Sequence, residues 1–185
     1  MIKQKSIASR HHGNIRILTF SAVLVAMSIV CGKYLAFGVG NVLRFSFENL
    51  PIILGGVMFG PVVGALIGIG ADLIGCILVG YAINPIITLG AAVIGLLSGA
   101  LWRMMNRLPY ALTVISVTVI SHIVGSVLIK TFGLAMYYDM PIYVLMLWRL
   151  LNYLIVGAVE CLLLYFVLKN KSVRSIMARH SDRKE

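Results

Sequence analysis

The chain has 185 residues, 60% of them hydrophobic and 12% charged, with a mean hydropathy of +0.98, an excess that no soluble domain needs to fill its core. The formal charge of +10 is not a patch on a polar domain, which argues against nucleic acid as a partner. Most Lys and Arg residues instead fall between apolar runs, in three groups: Lys3, Lys5, Arg10 and Arg16; Arg103 and Arg107; and the tail from Lys169 to Lys184. That distribution reads as positive-inside topology, with anionic membrane lipid as the counter-charge.

The first apolar run covers 16–36. A basic segment precedes it, as in a signal peptide, but no small-x-small cleavage site follows, so it reads as a retained helix. The next stretch, FGVGNVLRFSFEN from Phe37 to Asn49, leads to a short run at 51–59. About nine residues at 1.5 Å each cross only about half of a bilayer core. The loop before this helix is therefore expected to dip below the membrane surface, where irregular backbone is tolerated if protein or a wet cavity surrounds it. Further spans are predicted at 61–80, 85–105, 109–132 and 141–168.

Each of the five prolines, Pro51, Pro61, Pro85, Pro109 and Pro141, stands at the front edge of one of these runs, where a fixed φ and a missing N–H cost a helix nothing. Residues 50–80 could alternatively form one long span, giving five. Six spans put all three basic groups on one side, and five do not. The fold class expected is thus an all-α integral membrane protein, a six-transmembrane-helix bundle with both termini cytoplasmic. It divides into a basic arm at 1–15, the membrane domain at 16–168 and a basic tail at 169–185.

Small residues recur at four-residue spacing: Ala22 and Ala26; Gly60, Gly64 and Gly68; Ala91, Gly95 and Gly99. Such faces let helices approach closely in lipid. Ala22 and Ala26, on a helix at the bundle edge, form a candidate docking face for another membrane protein. Charges within spans are expensive and face an interior or a cavity. Asp72 and Arg149 fall at the same depth, about 10 Å below the outer surface, either as a buried ion pair or as a pocket floor in which Arg149 or Arg44 meets a ligand carboxylate and Asp72 accepts from a heterocycle. Lys33, Lys130, Asn49, Asn152 and the helix-capping Asn84 share that half, and Tyr138 is among the outer aromatic residues able to stack on a ligand. Glu160 is expected to be structural, pairing with Arg103, and His122 to be a hydrogen-bonded interior residue. Cys31, Cys76 and Cys161 read as packing residues, with no metal-ligand spacing. The phosphate-loop, nucleophile-elbow and zinc-protease motifs are missing.

The stretch LRFSFENLPIILGGVMFGPVVGALIGIGADLIG, Leu43 to Gly75, with WRLLNYLIVGAVE, Trp148 to Glu160, closely resembles the substrate-binding S components of energy-coupling factor (ECF) vitamin transporters, in particular the folate branch. The resemblance implies a non-enzymatic subunit of the bacterial cell membrane that binds a vitamin from outside. It also implies a shared transmembrane coupling protein and two ATPase subunits as partners, with ATP used by those partners and no cofactor in this chain. On this likeness Arg44, Asp72 and Arg149 fall on binding-region positions. Tyr81, Pro85 and Thr88 match a turn that reads Tyr-Phe-Pro-Gly-Phe-Thr in the folate branch. The phenylalanines of that turn are replaced here, so a flat pterin loses stacking partners and a different vitamin or precursor stays open. Two other classes stay open from the residues themselves: a small intramembrane enzyme acting on a lipid or prenyl substrate through Asp72 and His122, and a self-contained carrier.

Overall fold

The structure is a computed structural model that describes residues 2–39, 43–105, 107–138 and 141–181, with side chains described outside 2–14, 38–44, 138 and 179–181. Among the described residues, the regular structure is helical apart from two short paired strands. α1 (Ile2–Ile29) runs into a π-helical turn (Val30–Tyr34), and two three-residue strands follow, β1 (Phe37–Val39) and β2 (Leu43–Phe45). They pair antiparallel with Gly38 opposite Arg44. Then come α2 (Asn49–Phe59), α3 (Pro61–Val79), α4 (Pro85–Met104) and α5 (Tyr110–Ser121). A nine-residue π segment (His122–Lys130) joins α5 to α6 (Thr131–Tyr138), and α7 (Ile142–Lys169) and α8 (Lys171–Ser181) complete the chain.

Among the described residues, five stretches are long and apolar enough to cross a membrane: Ile15–Tyr34, Pro61–Val79, Pro85–Met104, Tyr110–Tyr137 and Ile142–Lys169. The sixth apolar helix is the short α2. Its 11 residues rise about 16 Å, half of a hydrocarbon core. The expected short second helix is therefore present, and a backbone-paired hairpin precedes it, which limits the orphan N–H and C=O groups such a segment carries at depth.

All five prolines lie at helix starts. Pro61 and Pro85 occupy the first turns of α3 and α4, Pro109 and Pro141 cap α5 and α7, and Pro51 sits in the first turn of α2. The turn from α2 into α3 is made by Gly60 at φ 98°, a conformation that side chains resist. The Arg103 guanidinium lies where a Gly60 side chain would be, next to the C-terminus of α2, where a cation complements the helix dipole.

α2 is the centre of the bundle. Every residue in it except Leu50 and Leu54 is buried, because α1, α3 and α4 surround it, and a helix enclosed on all sides has no use for a polar stripe. Ile52, Ile53, Ile67, Ile94 and Leu164 form the tightest part of the core. The glycine faces do the packing expected of them. A side chain at Gly64 would strike the Gly95 carbonyl, and one at Gly68 the Ala91 carbonyl, so α3 and α4 touch backbone to backbone. Ala22 and Ala26, by contrast, are exposed on α1.

Two regions differ from the sequence reading. The fifth span does not end at 132 but runs through the π segment to the end of α6, because i→i+5 bonding absorbs residues without breaking the helix. The tail beyond 169 begins as α8, opened by Asn170, whose side chain accepts the Ser172 N–H at 2.9 Å. Val173, Ile176 and Met177 share one face of α8 and pack on the core cluster, at the end of the bundle that also holds Arg103.

Candidate functional site

Lys33, Glu48, Asp72 and Lys130 collect at the hairpin end of the bundle, whereas His122 and Glu160 pair with each other between the fifth span and α7. Lys33 comes from the π turn after α1, Glu48 and Asn49 from the start of α2, Asp72 from α3 and Lys130 from the long π segment. Lys130, only 3% exposed, donates to Glu48 Oε1 at 2.8 Å and to Asn49 Oδ1 at 3.2 Å. Glu48 fits because Gly32 has no side chain: a Cβ there would meet the Glu48 side chain at 2.8 Å. The Ser28 hydroxyl donates to the Glu48 carbonyl at 2.6 Å, tying α1 to the start of α2. Across the site, Thr88 donates to Asp72 Oδ2 at 2.6 Å.

Ser28, Lys33, Glu48, Ile52, Ala71, Asp72, Ala91 and Lys130 line a void of about 10 Å³, room for a single water. Two cations and two carboxylates thus line one small void. At the rim, the Lys33 ammonium lies 5.3 Å from the centre of the Tyr81 ring, and Tyr81 is 49% exposed.

Asp72 and Thr88 come together, and Asn49 meets Lys130. Asn84 has a fold-keeping role: its side chain caps α4 by accepting from Ile86 N at 3.0 Å and donates to the Gly133 carbonyl at 3.0 Å. Arg149 and Asn152 lie on α7. Arg149 donates through Nη2 to the Tyr153 hydroxyl at 3.3 Å, its guanidinium 5.7 Å from that ring's centre, and among the described residues its buried Nε has no hydrogen-bond partner. Among the described residues no ion pair joins Asp72 to Arg149, so of the two expected arrangements the buried pair is not formed: Asp72 meets the Thr88 hydroxyl and Arg149 that of Tyr153. The side chains of Arg44 and Tyr138 lie outside the described ones; β2, which carries Arg44, packs against α7.

Glu160 does not reach Arg103. It is fully buried and pairs with His122 Nε2, while Arg103 lies against Gly60. His122 is an interior residue as expected, stacked on Tyr153 with ring centres 4.8 Å apart. Glu48 and Ser126 are site-region residues that sequence reasoning missed. The signal for Glu48 was available: it is an acidic residue just before a helix that opens with Asn-Leu-Pro.

A second void, about 770 Å³, lies between the fifth span and α7, lined by apolar side chains such as Val114, Ile115, Ile123 and Leu154. Its lining also carries the polar groups of Thr118, His122, Tyr153 and Tyr165 but, among the described residues, no carboxylate, Lys or Arg that would meet a charged ligand.

A membrane bundle with a polar, charge-balanced pocket at one end defines a solute-binding membrane subunit. The family model described as "ECF transporter, substrate-specific component" matches residues 16–168, and the chain belongs to that family, whose members are transporter components and not enzymes. Among solved structures, FolT bound with folic acid superposes with a TM-score of 0.67 at 22% identity, over 81% of this chain and 90% of that one. The S component for biotin from an ECF-type ABC transporter gives 0.52 at 17% identity, over 93% of each chain. A comparison with curated protein sequences returns no match.

Proposed function

We propose that this chain captures a heteroaromatic vitamin bearing an acidic group, with folate or a related pterin foremost, and hands it to an ATP-driven importer. The observation that carries this reading is the cluster of Lys33, Glu48, Asp72 and Lys130 at the hairpin end of a substrate-specific component. Carboxylates such as Asp72 accept from the N–H groups of a heterocycle, and the ammonium groups, with Arg149 nearby on α7, take an acid. Folic acid in the similar FolT structure makes it the first compound to test.

In this reading the hairpin end faces outside and the three basic groups face the cytoplasm. The exposed Ala22 and Ala26 offer a flat surface to a transmembrane coupling protein, whose two ATPase partners supply the energy.

A second reading, a different vitamin or precursor, draws on the α4 entry. Ile86 and Ile87, in the turn where the folate branch carries aromatic residues, lie against Gly133 of α6 and offer no ring for a pterin to stack on.

Native mass spectrometry of the purified chain against a panel of heteroaromatic vitamins tests both. Retention of folic acid supports the first reading, retention of another member supports the second, and an empty chain across the panel contradicts both.

A further inference from the structure

The pocket does not end at Lys130. Behind it, polar side chains with almost no exposure form a continuous chain into the middle of the bundle. Lys130 Nζ donates to Asn49 Oδ1 at 3.2 Å, and Asn49 Nδ2 donates to Ser126 Oγ at 3.4 Å. Ser126 Oγ lies 3.4 Å from His122 Nδ1, and His122 Nε2 meets Glu160 Oε2. Asn49, Ser126 and Glu160 are each 0% exposed and His122 is 3% exposed.

His122, Ser126 and Lys130 are four residues apart, a spacing that keeps side chains near one face of a helix. Ser126 and Lys130 reach Asn49 at the start of α2, while His122 turns to α7, where it stacks on Tyr153. α2 supplies Asn49 and α7 supplies Glu160.

Donor and acceptor capacities give the chain a direction. Ser126 has one hydroxyl hydrogen and two lone pairs, and one lone pair receives Asn49. If the imidazole hydrogen is on Nε2, facing Glu160, then Nδ1 is an acceptor and takes the Ser126 hydrogen. Every group from Lys130 to Glu160 then donates to the next. If the hydrogen is on Nδ1, Ser126 receives two donors and its own hydrogen has no acceptor within this chain. Burial makes such a loss costly. The direction also matters at the pocket, because an inverted Asn49 amide would turn its NH₂ towards the Lys130 ammonium.

We propose that His122 and Glu160 are positioning residues for the ligand pocket, acting through Ser126 and Asn49 to hold the Lys130 ammonium at its wall. Neither residue touches the pocket. The proposal rests on the reading of that pocket as the ligand site, and it adds two residues from the middle of the membrane to what sets affinity there.

The test uses the full chain in lipid nanodiscs, with ¹⁵N-labelled histidine and folic acid as the ligand probe. The His122 ring signal is identified by its loss in His122→Gln. Without ligand, the expected ring is neutral, with hydrogen on Nε2 and an accepting Nδ1 whose signal shifts in Ser126→Ala and in Asn49→Leu. A ring protonated on Nδ1, or an Nδ1 signal unmoved by either variant, overturns the proposal.

In the binding arm, Glu160→Leu is expected to weaken folic acid at least tenfold, and Glu160→Gln, whose side-chain carbonyl still accepts from Nε2, to recover most of that. Equal affinities for the two variants would also overturn it. If the unmodified chain fails to bind folic acid, the choice of ligand fails while the ligand-free signals still decide whether the relay exists.

Discussion

Thr88 on α4 donates its hydroxyl hydrogen to Asp72 on α3 across 2.6 Å, and the same hydroxyl lies 3.2 Å from the Asn84 carbonyl one turn earlier. The contact fixes the orientation of a carboxylate that lines the pocket. Thr88→Val keeps the shape and removes the donor, leaving Asp72 short of a hydrogen bond at a cost of about 1–3 kcal/mol. Since 1.4 kcal/mol is tenfold in affinity, ligand titration of this variant is expected to show a loss on the order of tenfold, with Thr88→Ser close to the unmodified chain.

Lys130 and Glu48 form an ion pair whose members have unequal exposure, 4% and 29% for the side chains. Lys130→Met removes one charge and takes away the ammonium that donates to Glu48 and Asn49, and is expected to destabilise the fold. The double variant Lys130→Met with Glu48→Gln is expected to be less destabilised than the sum of the two single changes. A double-mutant cycle of thermal unfolding in detergent measures that difference, and strict additivity would show that the two side chains do not interact.

The backbone contact between α3 and α4 gives a sharper expectation. Gly68→Leu forces a side chain into the Ala91 carbonyl, so the helices must separate, and folded yield in a membrane is expected to collapse. Gly80→Ala meets nothing within 4 Å but keeps φ at 72°, which costs only about 1 kcal/mol of backbone strain. Size-exclusion profiles of the two variants separate packing from conformational cost.

Ala22→Leu with Ala26→Leu tests the docking face. Both alanines are exposed, so ligand binding by the isolated chain is expected to be unchanged. Assembly with a coupling protein, followed by co-purification, is expected to fail because bulk at both positions keeps the partner helix away. Normal assembly would place the docking face elsewhere.

The helix starts were legible because prolines, a capping asparagine and glycine spacing act locally, and each does in three dimensions what its chemistry dictates. That Lys33, Asp72 and Lys130 converge was legible too, since charges in apolar spans have few places to go. What could not be read was which charge meets which. Asp72 and Arg149 share a depth, but depth leaves the angle around the bundle undefined, and Asp72 turns to Thr88 while Arg149 turns to Tyr153. Ser126 was not singled out, because a serine within an apolar span carries no signal of its own until Asn49 and His122 are found beside it. Glu160 was assigned to Arg103 for the same want of angular information, whereas His122 on the neighbouring span claims it.

The most direct measurement is a titration of the purified chain in nanodiscs with folic acid, run beside Asp72→Asn under identical conditions. Saturable binding by the unmodified chain at micromolar or tighter affinity, weakened at least tenfold by the loss of one carboxylate charge at the pocket, is the predicted result. Binding that is indifferent to Asp72→Asn would contradict the assignment of the site to the hairpin end.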